Sequence, residues 1–248
     1  SITHEQNIIC SKTLTGRQLF AGHVVSSRPM KMKEKIHRMI INFLSACSES
    51  VDVVFGIPTS QTIPLDHFQS IKKFFGDIID SFDIDPMKVH VGLVTYSGTA
   101  STALTINQLG SDDVIKEFTN QLSQQGTQVN VASALKEAAH NTFTIFGGVR
   151  QSSPRAFVLV VPEGSVNSRQ EVLTAAERLK SLGVRLFIVG VGAGIDQNLL
   201  RLSSSQPYAK FFHNIPDHKT LFIKSRDIAE VVCKGNAIKR VSKLVTGT

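Results

Sequence analysis

Tryptophan is absent from this chain of 248 residues, tyrosine occurs twice and cysteine three times. Its fifteen phenylalanines read mostly as core, and a chain poor in exposed-looking aromatics, with no recognisable nucleic-acid-binding motif, argues against a nucleic-acid partner. No run of about 18 uncharged apolar residues exists, so no segment reads as a membrane-spanning helix. No secretory leader opens the chain, and Ser1 reads as the start of an excised mature fragment. Catalytic signatures are missing too: there is no GxSxG, HExxH, P-loop or CxxC pair. The eight histidines fall in no catalytic order, although a triad built from distant residues leaves no local signature. Gly190-Val191-Gly192-Ala193-Gly194 is a poor dinucleotide fingerprint, because its third glycine comes too early and it follows a late strand. It reads instead as a tight strand-to-helix turn. The expectation is a protein that is not an enzyme and carries no cofactor.

What is present is a chain long enough for one large α/β domain with a substantial core. It is 42% hydrophobic, with a net charge of +7 and a pI near 9.4. That charge favours polyanionic partners such as heparin-like glycans or acidic proteins, without naming one. The stretch VDVVFGIPTSQT, Val51 to Thr62, organises the rest. Its continuous apolar run suits a strand buried on both faces of a parallel sheet. The polar turn Pro58 to Thr62 then falls at the carboxyl end of that strand, where open α/β sheets place ligand sites.

This stretch resembles the opening of a von Willebrand factor A (VWA) domain, in which a buried strand ends in a metal-binding Asp-x-Ser-x-Ser loop. Aligned on the strand, Pro58 stands at the aspartate position and Ser60 and Thr62 at the two serines. The family's metal-binding threonine aligns with Val129 in GTQVNVASAL, and its second aspartate with Pro162 after FVLVV. Mg²⁺ requires hard oxygen ligands, which proline and valine side chains lack. The resemblance therefore implies this fold with a dismantled metal site. Glu163, one residue beyond Pro162, is the carboxylate that a shifted alignment would bring in. The two hydroxyls otherwise read as local turn and capping groups.

The remaining periodicities follow the same order. Pro64 to Phe82 reads as a helix with Phe68, Ile71, Phe74, Phe75, Ile78 and Ile79 on one face. Val89 to Tyr96 is a strand, and Ala100 to Ile106 a short antiparallel edge strand beside it. Ser111 caps a helix over Val114 to Leu122, and Ala132 to Phe143 is another. Pro154 to Val161 is a strand. Ser168 and Glu171 make a capping box for a helix reaching Leu182. Strands follow at Val184 to Val191 and Ala209 to His213, and Asp217 to Val232 is the closing helix.

Ahead of this unit, Met32, Ile36, Met39, Ile40, Phe43 and Leu44 recur at helical spacing, while Arg28, Lys31, Lys33, Lys35 and Arg38 crowd the other positions. The helix either packs its apolar stripe on the domain or offers a basic face to glycans or a membrane surface.

The expected architecture is doubly wound α/β: a mainly parallel, six-stranded, Rossmann-like sheet with one antiparallel edge strand and helices on both faces. Residues 1–46 form a basic extension, 47–233 the VWA-like domain and 234–248 a basic tail. The likeness is nearest to extracellular matrix members such as those of collagen VI, the matrilins and von Willebrand factor. It implies a secreted, non-catalytic module that binds matrix or cell-surface proteins without a divalent cation. Heparin-like glycans or a membrane surface are the alternative partners. In extracellular members a disulfide often ties the domain ends, which implies a Cys47–Cys233 bridge and leaves Cys10 odd. In a reducing compartment Cys47 and Cys233 are two unrelated thiols.

Overall fold

The computed structural model describes residues 50–108, 110–165 and 168–234. These form a six-stranded sheet of order β3-β2-β1-β4-β5-β6. The strands are β1 (Val51–Pro58), β2 (Val89–Tyr96), β3 (Ala100–Leu104), β4 (Arg155–Pro162), β5 (Val184–Val191) and β6 (Phe212–Ile215). All neighbouring pairs are parallel except β2 with β3. Every residue of β1 is buried, as is every residue of β4 after Arg155. Burial on both faces is why these strands read as unbroken apolar runs rather than alternating ones.

The helices are α1 (Leu65–Ile79), α2 (Asp112–Gln121), α3 (Val131–Glu137, continued by one π-turn over Ala138–Thr142), α4 (Arg169–Ser181), α5 (Gln197–Ser203), α6 (Tyr208–Phe211) and α7 (Ser225–Lys234). A 3₁₀ segment, His218–Lys224, runs into α7. Helix α1 packs with α2, α7 and the 3₁₀ segment, and α3 packs with α4. The six apolar residues expected on the face of α1 are all buried, and Phe55 of β1 meets Phe75 of α1 with ring centroids 4.9 Å apart. Burying a side chain of this size contributes about 1.5–3 kcal/mol.

Three cations close helix ends from a distance. Lys72 of α1, buried, donates Nζ to the carbonyls of Asn120 and Leu122 at the end of α2. Arg155 donates to Leu182 O after α4, and Arg185 to Val231 O and Val232 O in α7. The last carbonyls of a helix lack intrahelical donors and carry partial negative charge, so each contact supplies both a donor and a countercharge. Arg185 is the second residue of β5, so the end of α7 lies at the amino ends of the parallel strands. The chain enters β1 at that same end of the strands.

Several helix and strand ends shift by one to three residues, and three local features differ in kind from the expectation. Ser168 makes no side-chain capping bond to α4, and Glu171, the other half of the expected box, accepts from Lys136 Nζ of α3 at 2.7 Å. The strand expected over Ala209 to His213 is divided: Tyr208–Phe211 is a helical turn and β6 begins at Phe212. At the edge of the sheet, a four-residue strand such as β6 has almost no periodicity to announce it. The closing helix opens as 3₁₀ from His218 and becomes α-helical only at Ser225.

Candidate functional site

The turn after β1 is built by local hydroxyls and a second loop. Pro58 ends the strand opposite Tyr96, and Thr59 N then donates to Tyr96 O at 2.8 Å. Tyr96 is itself fixed by donating its hydroxyl to Val160 O at 2.5 Å, and full burial pushes its phenol pKa far upward. Ser60 is completely buried. Its Oγ lies 2.8 Å from Thr62 Oγ1 and accepts from Thr62 N at 3.2 Å, while Ile63 N donates to Ser60 O. The two hydroxyls of the turn therefore satisfy each other and the local backbone.

Residues 124–126 clamp this turn. Gln124 Nε2 donates to both Ser60 O at 2.8 Å and Ile63 O at 2.7 Å. Gln125 N donates to Thr59 O, and Gln61 N to Gly126 O. Gly126 has φ of 72° and passes so near Ser97 that a Cβ would come within 2.6 Å of its Oγ. Sequence reasoning missed Gln124. An amide in a polar loop carries no period and no motif, and its role appears only when the two loops meet.

The other expected positions are placed as follows. Val129 is buried in the core, 1% exposed, just before the Asn130 cap of α3, whose Oδ1 accepts from Ser133 N. Pro162 ends β4 opposite Val191 of β5, and its carbonyl accepts from Ser165 Oγ. Glu163 leans towards β5: a Cβ at Gly192 would sit 2.6 Å from its Oε2. In the sheet order β1 and β5 lie on opposite sides of β4, and the charge of Glu163 also acts on His218, which stacks on His67 of α1. Among the described residues no group of three or more His, Cys, Asp or Glu is arranged to hold a metal ion. The donors at the turn, two mutually bonded hydroxyls, do not fit a hard divalent cation, which draws on carboxylates for charge.

Arg28, Lys31, Lys33, Lys35, Arg38, Cys10 and Cys47 lie outside the described residues. Cys233, at the end of α7, is disulfide-bonded. No described helix is long and apolar enough to cross a membrane.

Comparison with known proteins matches residues 52–225 to the von Willebrand factor type A domain. The chain is 32% identical over 183 residues to the human collagen alpha-1(XX) chain, covering 74% of this chain and 14% of that one. It is 28% identical over 193 residues to matrilin-1 of Gallus gallus, covering 76% of this chain and 38% of that one. It therefore spans well under half the length of these matrix relatives. Among solved structures it is similar to proximal thread matrix protein 1 of the mussel byssus, with a TM-score of 0.68 at 20% identity over 76% of this chain and 49% of that one. That structure has a zinc-occupied metal-ion-dependent adhesion site. Sheet order, the single antiparallel edge strand and the matched span agree, and the chain belongs to the von Willebrand factor type A domain family, in its extracellular matrix type.

Proposed function

We propose that this domain is a non-catalytic protein-interaction module of an extracellular matrix or adhesive protein, and that it engages its partner without a divalent cation. One observation carries the reading. Ser60 and Thr62 bond each other at 2.8 Å, while Pro58, Pro162 and Val129 stand where the family's metal site has two carboxylates and a hydroxyl. A cation there would lack anionic partners, and its bridge to a ligand carboxylate would be lost with it. Binding then rests on side-chain surfaces. The test is adhesion to a panel of immobilised collagens and matrilins, measured in Mg²⁺ and in EDTA. Retained binding in EDTA is expected. Binding abolished by EDTA and restored by Mg²⁺ would overturn the cation-independent reading.

A second reading concerns the excess charge. Residues 1–49 hold seven Lys and Arg against three Asp and Glu, and residues 235–248 hold three against none. Residues 50–234 hold seventeen of each, so the whole +7 surplus belongs to the flanks. This favours heparin-like glycan binding through the basic segment of Lys31 to Arg38 rather than through the folded domain. Replacing Lys31, Lys33, Lys35 and Arg38 by Ser should remove most salt-sensitive heparin retention. Unchanged retention would move the site elsewhere.

A further inference from the structure

The segment from β6 to the end of α7 comes last among the described elements, and its 3₁₀ segment and helix pack on α1. The imidazole of His218, at the start of the 3₁₀ segment, stacks face to face on His67 of α1, with centroids 3.9 Å apart and planes 14° from parallel. His218 is 4% exposed, and its Nε2 is buried without a hydrogen-bond partner. His213 of β6, five residues earlier, also buries Nε2 without a partner. A neutral ring tolerates such a site, since one unpaired nitrogen costs a hydrogen bond. A charged ring there loses hydration that nothing replaces.

We propose that residues 212–234 form an acid-released strap, held on α1 at neutral pH by the stacked rings of His67 and His218 and let go when the buried ring takes a proton.

The charges around the pair set the direction. His67 faces His218 from α1, with Asp66 beside it; Glu163 reaches it from the loop after β4, and Asp217 from its own turn. The carboxylates favour the charged ring, but desolvation, followed by His67, outweighs them and holds the His218 pKa down to about 4 from 6.5. Around His213, burial and then Lys224 lower the pKa, against a backbone bond to Lys210 and the charge of Asp227. A histidine whose pKa is lower in the closed state resists protonation there. The open state, where the ring titrates normally, therefore gains as pH falls through 6.5. With a closed-state value of about 4, His218 alone favours opening about thirtyfold more at pH 5 than well above pH 7.

Release need not unfold the domain. Strand β6 is four residues long and pairs only with β5, whereas the far end of the strap is kept by Arg185 and by the disulfide on Cys233. Phe222 and Ile223 are already more than half exposed, so the apolar groups that must leave the core are Ile215, Leu221 and the inner face of α7.

Amide hydrogen exchange on the full chain at pH 7 and pH 5, corrected for intrinsic rates, tests this. Residues 212–224 should open at least about tenfold more at pH 5 while β1 and β4 stay protected. A double variant, His67→Phe with His218→Phe, should keep the stack and lose the difference. Equal behaviour of strap and core in the native chain, or a difference that persists in the double variant, overturns the proposal. Should that variant not fold, the His218 ring in the native chain decides by NMR titration. A midpoint below 6 that coincides with strap opening supports the proposal, and a midpoint at or above 6.5 overturns it.

Discussion

Arg150 donates Nε to Asp52 Oδ1 at 2.7 Å, and its own backbone N to Oδ2 of the same carboxylate at 2.7 Å. Asp52, the second residue of β1, is completely buried. The guanidinium also reaches Val51 O and Lys88 O through Nη2, so one side chain joins the amino ends of β1 and β2 to the loop before β4. Removing one member strands a buried charge, which costs about 3–5 kcal/mol. Arg150→Met should lower stability in urea by that order, and Asp52→Asn by less, since the amide oxygen still accepts. Equal, negligible losses would show the pair to be solvated.

Millimolar Mg²⁺ or Mn²⁺ should leave the melting temperature where EDTA leaves it. A cation binding only the folded state at a hundred times its Kd would stabilise it by about 2.7 kcal/mol, easily seen in a thermal melt. A metal-dependent rise that disappears in Glu163→Gln would mean that this carboxylate turns from Gly192 to the Ser60–Thr62 turn.

The partner of Cys233 should be Cys47, leaving Cys10 outside the pair. Peptide mapping under non-reducing conditions reads this directly, and a Cys10–Cys233 peptide would refute it. Closing so long a loop contributes on the order of 4–5 kcal/mol in the chain-entropy picture, so Cys233→Ser should melt well below the native chain.

Two glycines should respond to alanine with opposite signs. A Cβ at Gly147 would lie 2.0 Å from Thr142 O, a backbone atom that cannot swing aside. Gly147→Ala should therefore destabilise by at least about 2 kcal/mol. Gly76, within α1, has nothing within 4 Å of its added Cβ. Gly76→Ala should stabilise by about 0.4–1 kcal/mol, because the unfolded chain loses freedom at no cost to the fold. Urea denaturation of both variants checks the pair.

Gln124→Ala should loosen the turn after β1 and cost about 1–2 kcal/mol, as Ile63 O loses this donor and Ser60 O keeps only that of Ile63 N. Faster amide exchange at residues 59–63 should accompany it. A variant as stable and as protected as the native chain would show that water replaces the amide.

Much of this fold was legible because burial on both faces writes itself into composition: Val51 to Ile57 and Phe157 to Val161 can be little else than central strands. The Ser111 cap of α2 was equally plain, and its Oγ does accept from Val114 N. Legibility failed where a residue had two possible partners. Glu171 suits a capping box by spacing, yet Lys136 on a neighbouring helix takes it. It failed again where function depends on contacts between distant segments, as for Gln124 with Ser60 and His67 with His218. No window of sequence contains both members of either pair.

Because the chain enters β1 and leaves α7 at the same end of the parallel strands, tension applied through the two flanks acts across the domain, not along its strands. Helix α7 is held by side-chain contacts of Ile228, Ala229 and Val232 and by Arg185, whereas β1 is zipped on both sides to β2 and β4. Under load α7 would peel first, and the central strands would feel force only afterwards. A covalent link from Cys233 to the incoming flank would short-circuit that path, so that tension passing between the flanks would leave the domain itself unstrained.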